Sequence, residues 1–326
     1  MTSLLPWTTI LSLFWLVSIQ LYACDFCTLY TGVLPQDRLN RLEYYQRYSR
    51  FSRTLSGIQN GKSASQAHAR TAHVPAGSDF NTSNVKSYES YIFHDLRYSF
   101  FVGPKWQFSA GIPYQIFKEN IDGETSRSKN GFGDATVFAL HGIVVQEALK
   151  KSIRWFAGAG LRLPTGWYYR NEQMYTNHFF EQGGTGTMGY VIISSLNFRN
   201  KNWGITQMLN ARYHPATSRS YKPGAVVNLS HHFFVMVNLR YPDIRLLPSI
   251  ALYAEAFDGN RNFGYKVMNT GGFASFVGPD VSIYFNRLNL RVAWTMPLVE
   301  HLNGAPFQSE NRIQIGIMYT FGKQPC

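Results

Sequence analysis

Residues 105–117, KWQFSAGIPYQIF, carry the pattern on which the rest of the chain turns. Read with a period of two, one face is Trp106, Phe108, Ala110, Ile112, Tyr114 and Ile116. The other is Gln107, Ser109, Gly111, Pro113 and Gln115. A strand shows one wholly apolar face, with aromatics near its ends, when it meets hydrocarbon on one side and water on the other. Soluble sandwiches alternate too, so the recurrence of the pattern and the spacing between repeats have to decide.

The pattern recurs along the chain. Period-two segments fall at about 41–55, 86–102, 106–117, 132–145, 153–163, 184–198, 203–213, 225–238, 249–257, 270–285, 288–296 and 311–321. The connections mostly alternate between short turns (103–104, 199–202, 286–287) and long polar loops (56–85, 118–131, 164–183, 258–268 and from 297 to 310). A transmembrane antiparallel up-and-down barrel has this alternation, with short turns at one rim, long loops at the other and an even strand number. The expected fold is therefore all-β, a barrel of about twelve strands. Hydrocarbon admits only helices and closed barrels. The final segment fits, with Ile313, Ile315, Ile317, Tyr319 and Phe321 on one face and Arg312, Gln314, Gly316, Met318 and Thr320 on the other.

Composition points the same way. Hydrophobic residues make up 45% of the 326-residue chain, yet the mean hydropathy is -0.19. The apolar content is thus spread in alternation and not pooled in spanning helices. One uncharged apolar run, 4–21, ends in Leu21-Tyr22-Ala23 and reads as a cleavable signal peptide over 1–23. The expected organisation continues with a periplasmic N-terminal segment over 24–40, the barrel over 41–322 and a tail over 323–326. Export to a bacterial outer membrane follows, with outer-membrane lipid, the barrel-assembly machinery and a small-molecule substrate as partners. The formal charge of +12 is scattered, with no recognition helix or basic cluster, so nucleic acid is not an expected partner.

Three cysteines are present, and Cys24-Asp25-Phe26-Cys27 forms a C-x-x-C near the start of the mature chain. A disulfide, a redox pair, half of a metal site and lipidation of Cys24 are all compatible with its chemistry. Nine histidines are scattered without ligand spacing, and His231-His232 would point to opposite faces of a strand. Neither a metal site nor a cofactor is expected.

The inward-facing positions supply the lining candidates: Glu89, Asp95, Arg97, Gln107, Gln115, Arg154, Arg162, Asn210, Arg212 and Glu255. An Arg facing lipid at the midplane costs about 2–4 kcal/mol, so these arginines require a wet or paired interior. As channel walls they would set a transverse field and a charge preference; as paired charges they would fill a narrow barrel. Asp134, after Gly131 and Gly133, reads as a hydrogen bonder at a turn or strand opening.

Three short segments occur in a familiar order: Gly131-Phe132-Gly133-Asp134, then Gly160-Leu161-Arg162-Leu163-Pro164-Thr165-Gly166, then Gly184-Thr185-Gly186. Thr270-Gly271-Gly272 and Met296-Pro297-Leu298 extend the set. The chain resembles the MetA-pathway phenol-degradation family of outer-membrane transporters, in particular its Bacteroidetes-type members, whose mature chains begin with Cys-Asp-x-Cys. It departs from them at Gly189, where relatives carry an acidic residue, and at Thr28, where they carry a further cysteine.

The function expected is porin-like: passive passage of small compounds, hydrophobic or anionic ones among them. The alternatives are a barrel enzyme acting on lipids and a closed barrel presenting binding loops such as 167–180. Catalysis would need a nucleophile beside a base, and neither Gly-x-Ser-x-Gly nor His-x-Ser-Asn-Gly occurs. The chain is therefore read as a non-enzyme, with no catalytic residue assigned.

Overall fold

In lipid each strand must find hydrogen-bonding partners on both edges, and here every barrel strand does. The computed structural model describes residues 39–55, 85–121, 124–148, 151–168, 183–217, 221–239, 244–267, 270–303 and 308–322. The run read as a signal peptide, the C-x-x-C, His68, His73 and His178 lie outside the described residues. The first six barrel strands are β1 (Asn40–Leu55), β2 (Val85–Val102), β3 (Trp106–Ile121), β4 (Thr136–Glu147), β5 (Lys151–Arg162) and β6 (Gly189–Asn200). The other six are β7 (Trp203–Tyr213), β8 (Val226–Val235), β9 (Ile244–Phe257), β10 (Gly272–Phe285), β11 (Leu288–Leu302) and β12 (Arg312–Phe321). Each pairs antiparallel with the next. The ring is closed by β1 against β12, from Asn40↔Phe321 to Tyr48↔Ile313. The chain is thus a closed twelve-stranded antiparallel barrel.

Alternation sorts the side chains. Leu96, Ile112, Ile192, Val292, Ile313 and Ile317 are exposed on the outer surface. Arg97, Gly111, Val191, Arg291 and Arg312, their sequence neighbours, face inward and are buried. Polar atoms on the outer face are paired: Tyr44 Oη and His94 Nδ1 are 2.7 Å apart, and Trp155 Nε1 donates to Ser194 Oγ at 3.0 Å. Aromatics cluster at the short-turn rim, where Phe100 stacks on Phe108, Phe198 meets Trp203 and Tyr319 meets Phe321. Such a girdle marks the interface between hydrocarbon and headgroups.

Several boundaries differ from the sequence reading: the segments read as 132–145 and 184–198 start as strands only at Thr136 and Gly189, because the residues before them cross in the loops. Over 118–131, read as a loop, β3 runs on to Ile121 and the chain returns as a further strand, Glu124–Phe132, in register from Ile121↔Glu124 to Tyr114↔Phe132. Both faces there are polar because the wall has risen past the apolar band, which erases the alternation while leaving the ladder intact. β9 begins at Ile244 and not at 249, with Pro248 inside it. Proline lacks an N–H, and Pro248 falls between the pairings Phe234↔Ser249 and Val237↔Leu246, where that edge of the ladder is interrupted. Likewise β11 passes Pro297, which lies opposite Phe276 beside a register shift between Ser275 and Phe276, where Leu298 has no opposite residue and the ladder is irregular.

Above the barrel the long connections are stitched together by Asp134, whose side chain is fully buried. Its carboxylate accepts from the Gly166 N–H at 3.0 Å, the Thr185 N–H at 2.8 Å and the Thr185 hydroxyl at 2.7 Å. Arg162 Nε lies 3.4 Å away. The backbones cross so closely that a Cβ on Gly166 would stand 2.7 Å from Asp134 N and from Gly184 Cα. Gly133 is equally constrained, against Pro113 Cγ at 2.8 Å and Gly183 O at 2.9 Å. The three segments that carry the family resemblance are therefore one contact in space. A second stitch is made by Asn260, which accepts from Gly224 N–H at 2.9 Å and donates its own N–H to Thr270 Oγ1 at 3.1 Å.

Two outcomes follow. Replacing Asp134 with Ala removes three hydrogen bonds and the carboxylate beside Arg162, a loss of about 3–5 kcal/mol for a buried pair broken on one side. The loops should then open while the barrel persists: hydrogen exchange at Gly166 and Thr185 rises sharply, and the unboiled protein still migrates as a folded barrel on a gel. At Gly278 of β10, an added Cβ would stand 2.9 Å from Thr295 Cα of β11. Gly278→Val should abolish refolding into detergent, read as loss of the heat-modifiable band.

Candidate functional site: the barrel interior

Twelve strands enclose a bore between the filled interior of the smallest barrels and the aqueous channel of the sixteen-stranded ones. Side chains consequently meet across it. Phe101 of β2 packs edge-on against Phe156 of β5, with two strands between them, their centroids 6.2 Å apart. Arg312 of β12 is ion-paired with Glu255 of β9, and its guanidinium lies 3.6 Å from the centroid of the Phe276 ring on β10. His232 of β8 reaches Asp280 of β10 at 3.1 Å.

The interior is less polar than the inward pattern of β3 implies. Phe138, Leu140, Phe156, Val191, Ile193 and Met208 form an apolar cluster over β4 to β7. Phe51, Tyr91, Phe93 and Phe117 form a second over β1 to β3. A third, Phe234, Leu247, Tyr284 and Met318, lies towards the short-turn end of β8 to β12. In a narrow bore, inward side chains pack on each other instead of meeting water, so apolar ones are admissible.

Charged groups fill the gaps in pairs. Asp280 is held by Arg291 through two bonds, Nε–Oδ1 at 2.9 Å and Nη2–Oδ2 at 2.6 Å. That fork fixes both planes and neutralises a carboxylate that is 1% exposed. Glu43, fully buried, sits between Arg41 and Arg97, and Arg97 also pairs with Asp95. Removing one member of such a pair costs about 3–5 kcal/mol, so each acid depends on its arginine for burial.

The ten lining candidates separate into groups. Asp95, Arg97, Arg162 and Arg212 come from β2, β5 and β7 and meet around one cavity of about 70 Å³. Gln115 is buried one inward position beyond Pro113, beside Phe93 in the ladder. Gln107 is buried near the short-turn rim and donates to Ser109 Oγ at 3.3 Å. Glu89 stands towards the long loops, accepting from Tyr91 Oη at 3.0 Å. Arg154 is buried opposite Asn197 near the short-turn rim. Asn210 and Glu255 are buried on β7 and β9, and Tyr253 Oη reaches Glu255 at 3.4 Å. Arg41, Glu43, Arg47, His232, Asp280 and Arg291 occupy equivalent buried inward positions and were not singled out from sequence. The same two-residue alternation identifies them, as it does Arg312.

No protein-family model matches the chain, and no curated protein sequence matches it significantly. Among solved structures it is similar to an outer-membrane channel from Pseudomonas putida F1, with a TM-score of 0.56 and 14% identity over 89% of this chain and all of that one. It also aligns with the β domain of the Bordetella autotransporter BrkA, with a TM-score of 0.43 and 10% identity over 86% of this chain and 99% of that one. The first likeness, together with the closed ring and the apolar outer surface, establishes the fold as that of an outer-membrane β-barrel.

Proposed function

We propose that the chain is a narrow passive channel of the bacterial outer membrane, of the MetA-pathway phenol-degradation kind that its glycine-centred segments resemble. The observation that carries this reading is the inner surface. It joins buried guanidinium–carboxylate pairs, apolar clusters and an internal cavity inside a wall whose outer face is apolar. A barrel serving only as an anchor gains nothing from burying arginines such as Arg97, Arg212 and Arg312, since well-packed apolar residues are as stable or more so. A path for solutes does gain, because fixed charges set which species enter. The long-loop end, capped by the Asp134 knot, then faces outward from the cell, and the short-turn rim faces the periplasm.

The purified chain, refolded and inserted into planar bilayers, should give small, discrete conductance steps and slow swelling of loaded liposomes. The Glu255→Ala/Arg312→Ala double variant removes both ends of a cross-lumen strut without stranding either charge, and should conduct more than the parent. Folded protein that stays electrically silent and solute-tight in both forms would exclude the channel reading.

A further inference from the structure

At the long-loop end, beyond β7 to β10, two connections build a small sheet of their own. Its strands are Tyr221–Lys222, Arg261–Asn262 and Tyr265–Lys266. Arg261 stands directly opposite Lys222 on one side and Lys266 on the other, so three basic residues form one row across the sheet. Alternation puts Tyr221, Asn262 and Tyr265 on the other face, where Tyr221 is buried. Like charges directly opposite one another are destabilising. The row persists because the backbone around it is pinned: Val267 N–H donates to the Asn260 carbonyl at 2.8 Å, and the Asn260 side chain and N–H reach Gly224 and Thr270.

The row lies on the lipid side of the wall. Lys222 Nζ is 4.7 Å from the centroid of the Tyr213 ring. Tyr213 points outward, being next to inward Arg212 and opposite outward Tyr190 in the ladder, and both tyrosines are about half exposed. Tyrosines so placed at the end of an apolar band sit at headgroup level. A cation lying on one of them therefore falls at the depth of the lipid phosphates.

Little negative charge is at hand to balance the row. The connections 214–225 and 258–271 hold four Lys or Arg and one acid, Asp258, which accepts from the Gly259 N–H at 2.8 Å. Lys266 has contacts of its own and lies along Gly259, where an added Cβ would stand 2.5 Å from its Cε. Among the described residues neither Lys222 nor Arg261 is ion-paired with an acid. The charge presented to the lipid is that of these two.

Resting on the outward orientation of the long loops, but not on conduction, we propose that this row docks the phosphate of an outer-leaflet lipid. A phosphate monoester carries close to two negative charges and three acceptor oxygens, enough to bridge cations on strands about 4.8 Å apart. The Arg261 guanidinium supplies a fork that matches two of those oxygens. The acyl chains of the same molecule then run down the apolar wall past Tyr190, Tyr213 and Ile192, which are all exposed on the outer surface.

The test uses the full chain refolded in detergent and titrated with diphosphoryl lipid A, bound lipid being counted by native mass spectrometry. Monophosphoryl lipid A and phosphatidylcholine are the comparison lipids. Diphosphoryl lipid A should bind tightest and phosphatidylcholine weakest. Lys222→Gln and Arg261→Gln should each weaken the binding of diphosphoryl lipid A about fivefold, the worth of one basic residue at an anionic lipid surface. Arg261→Lys, which keeps the charge without the fork, should fall between. Lys105→Gln, at the short-turn rim, should leave binding at the parental value. Each variant is first shown to be folded by its heat-modifiable migration.

Equal binding of the three lipids, parental affinity in the folded Lys222→Gln/Arg261→Gln double variant, or an equal loss in Lys105→Gln would each overturn the docking site. A channel that conducts but does not discriminate among the lipids overturns the docking site and leaves the channel standing. A barrel that never conducts but binds lipid A through Lys222 and Arg261 has the reverse effect.

Discussion

Everything in this molecule depends on one requirement: inside hydrocarbon, a backbone amide has no water to fall back on. An unsatisfied N–H or C=O there costs several kcal/mol, and a strand carries one of each at every residue. The pairing of β1 with β12 discharges that obligation for the whole sheet, because an open edge would leave a row of such groups facing lipid. The irregularities respect it as well. Pro248 and Pro297 stand where the ladder is already broken, by the interruption beside Ser249 and by the shift beside Phe276.

Closing the ring fixes the second property of the protein, the size of its bore. Twelve strands bring the side chains of facing walls close together. Residues on strands that are not neighbours therefore touch, as Arg312 does with Glu255 and Phe101 with Phe156. Electrostatics then becomes a matter of pairing. With Glu43, Glu255 and Asp280 all essentially without exposure, each acid is tolerable only because an arginine arrives from another strand. The mixture of ionic pairs and apolar clusters is what a narrow, solvent-poor interior permits.

How much of this is legible before folding depends on the distance over which the information is written. The twelve strands can be read because the signal for each lies within itself: Trp106 to Ile116 alternate with Gln107 to Gln115, and the turns between strands are short on one side. The extension at 118–132 and the first residues of β9 escape because local pattern fails there, through polar residues on both faces or a proline, while pairing with neighbours still holds the strand. The inward parity of Arg97, Arg162, Arg212 and Glu255 is equally local. Which acid meets which arginine is not, since Glu255 and Arg312 lie on strands separated by two others around the ring. The apolar content of the lumen escapes for a related reason: the stretch 107–115 shows only small and polar inward residues, and the clusters come from Phe117 further along β3 and from Phe138, Phe156 and Val191 elsewhere.

The crossing of Gly133, Gly166 and Gly184 around Asp134 has an implication for descent. Because the three backbones touch where no side chain fits, the segments cannot diverge independently: an insertion or a bulkier residue in one is felt at once by the other two. A chimera built by exchanging one of these connections with that of a distant barrel would inherit a mismatched seam. The heritable module at this end of the protein is the triad of crossings, and grafts made between such barrels should carry all three together.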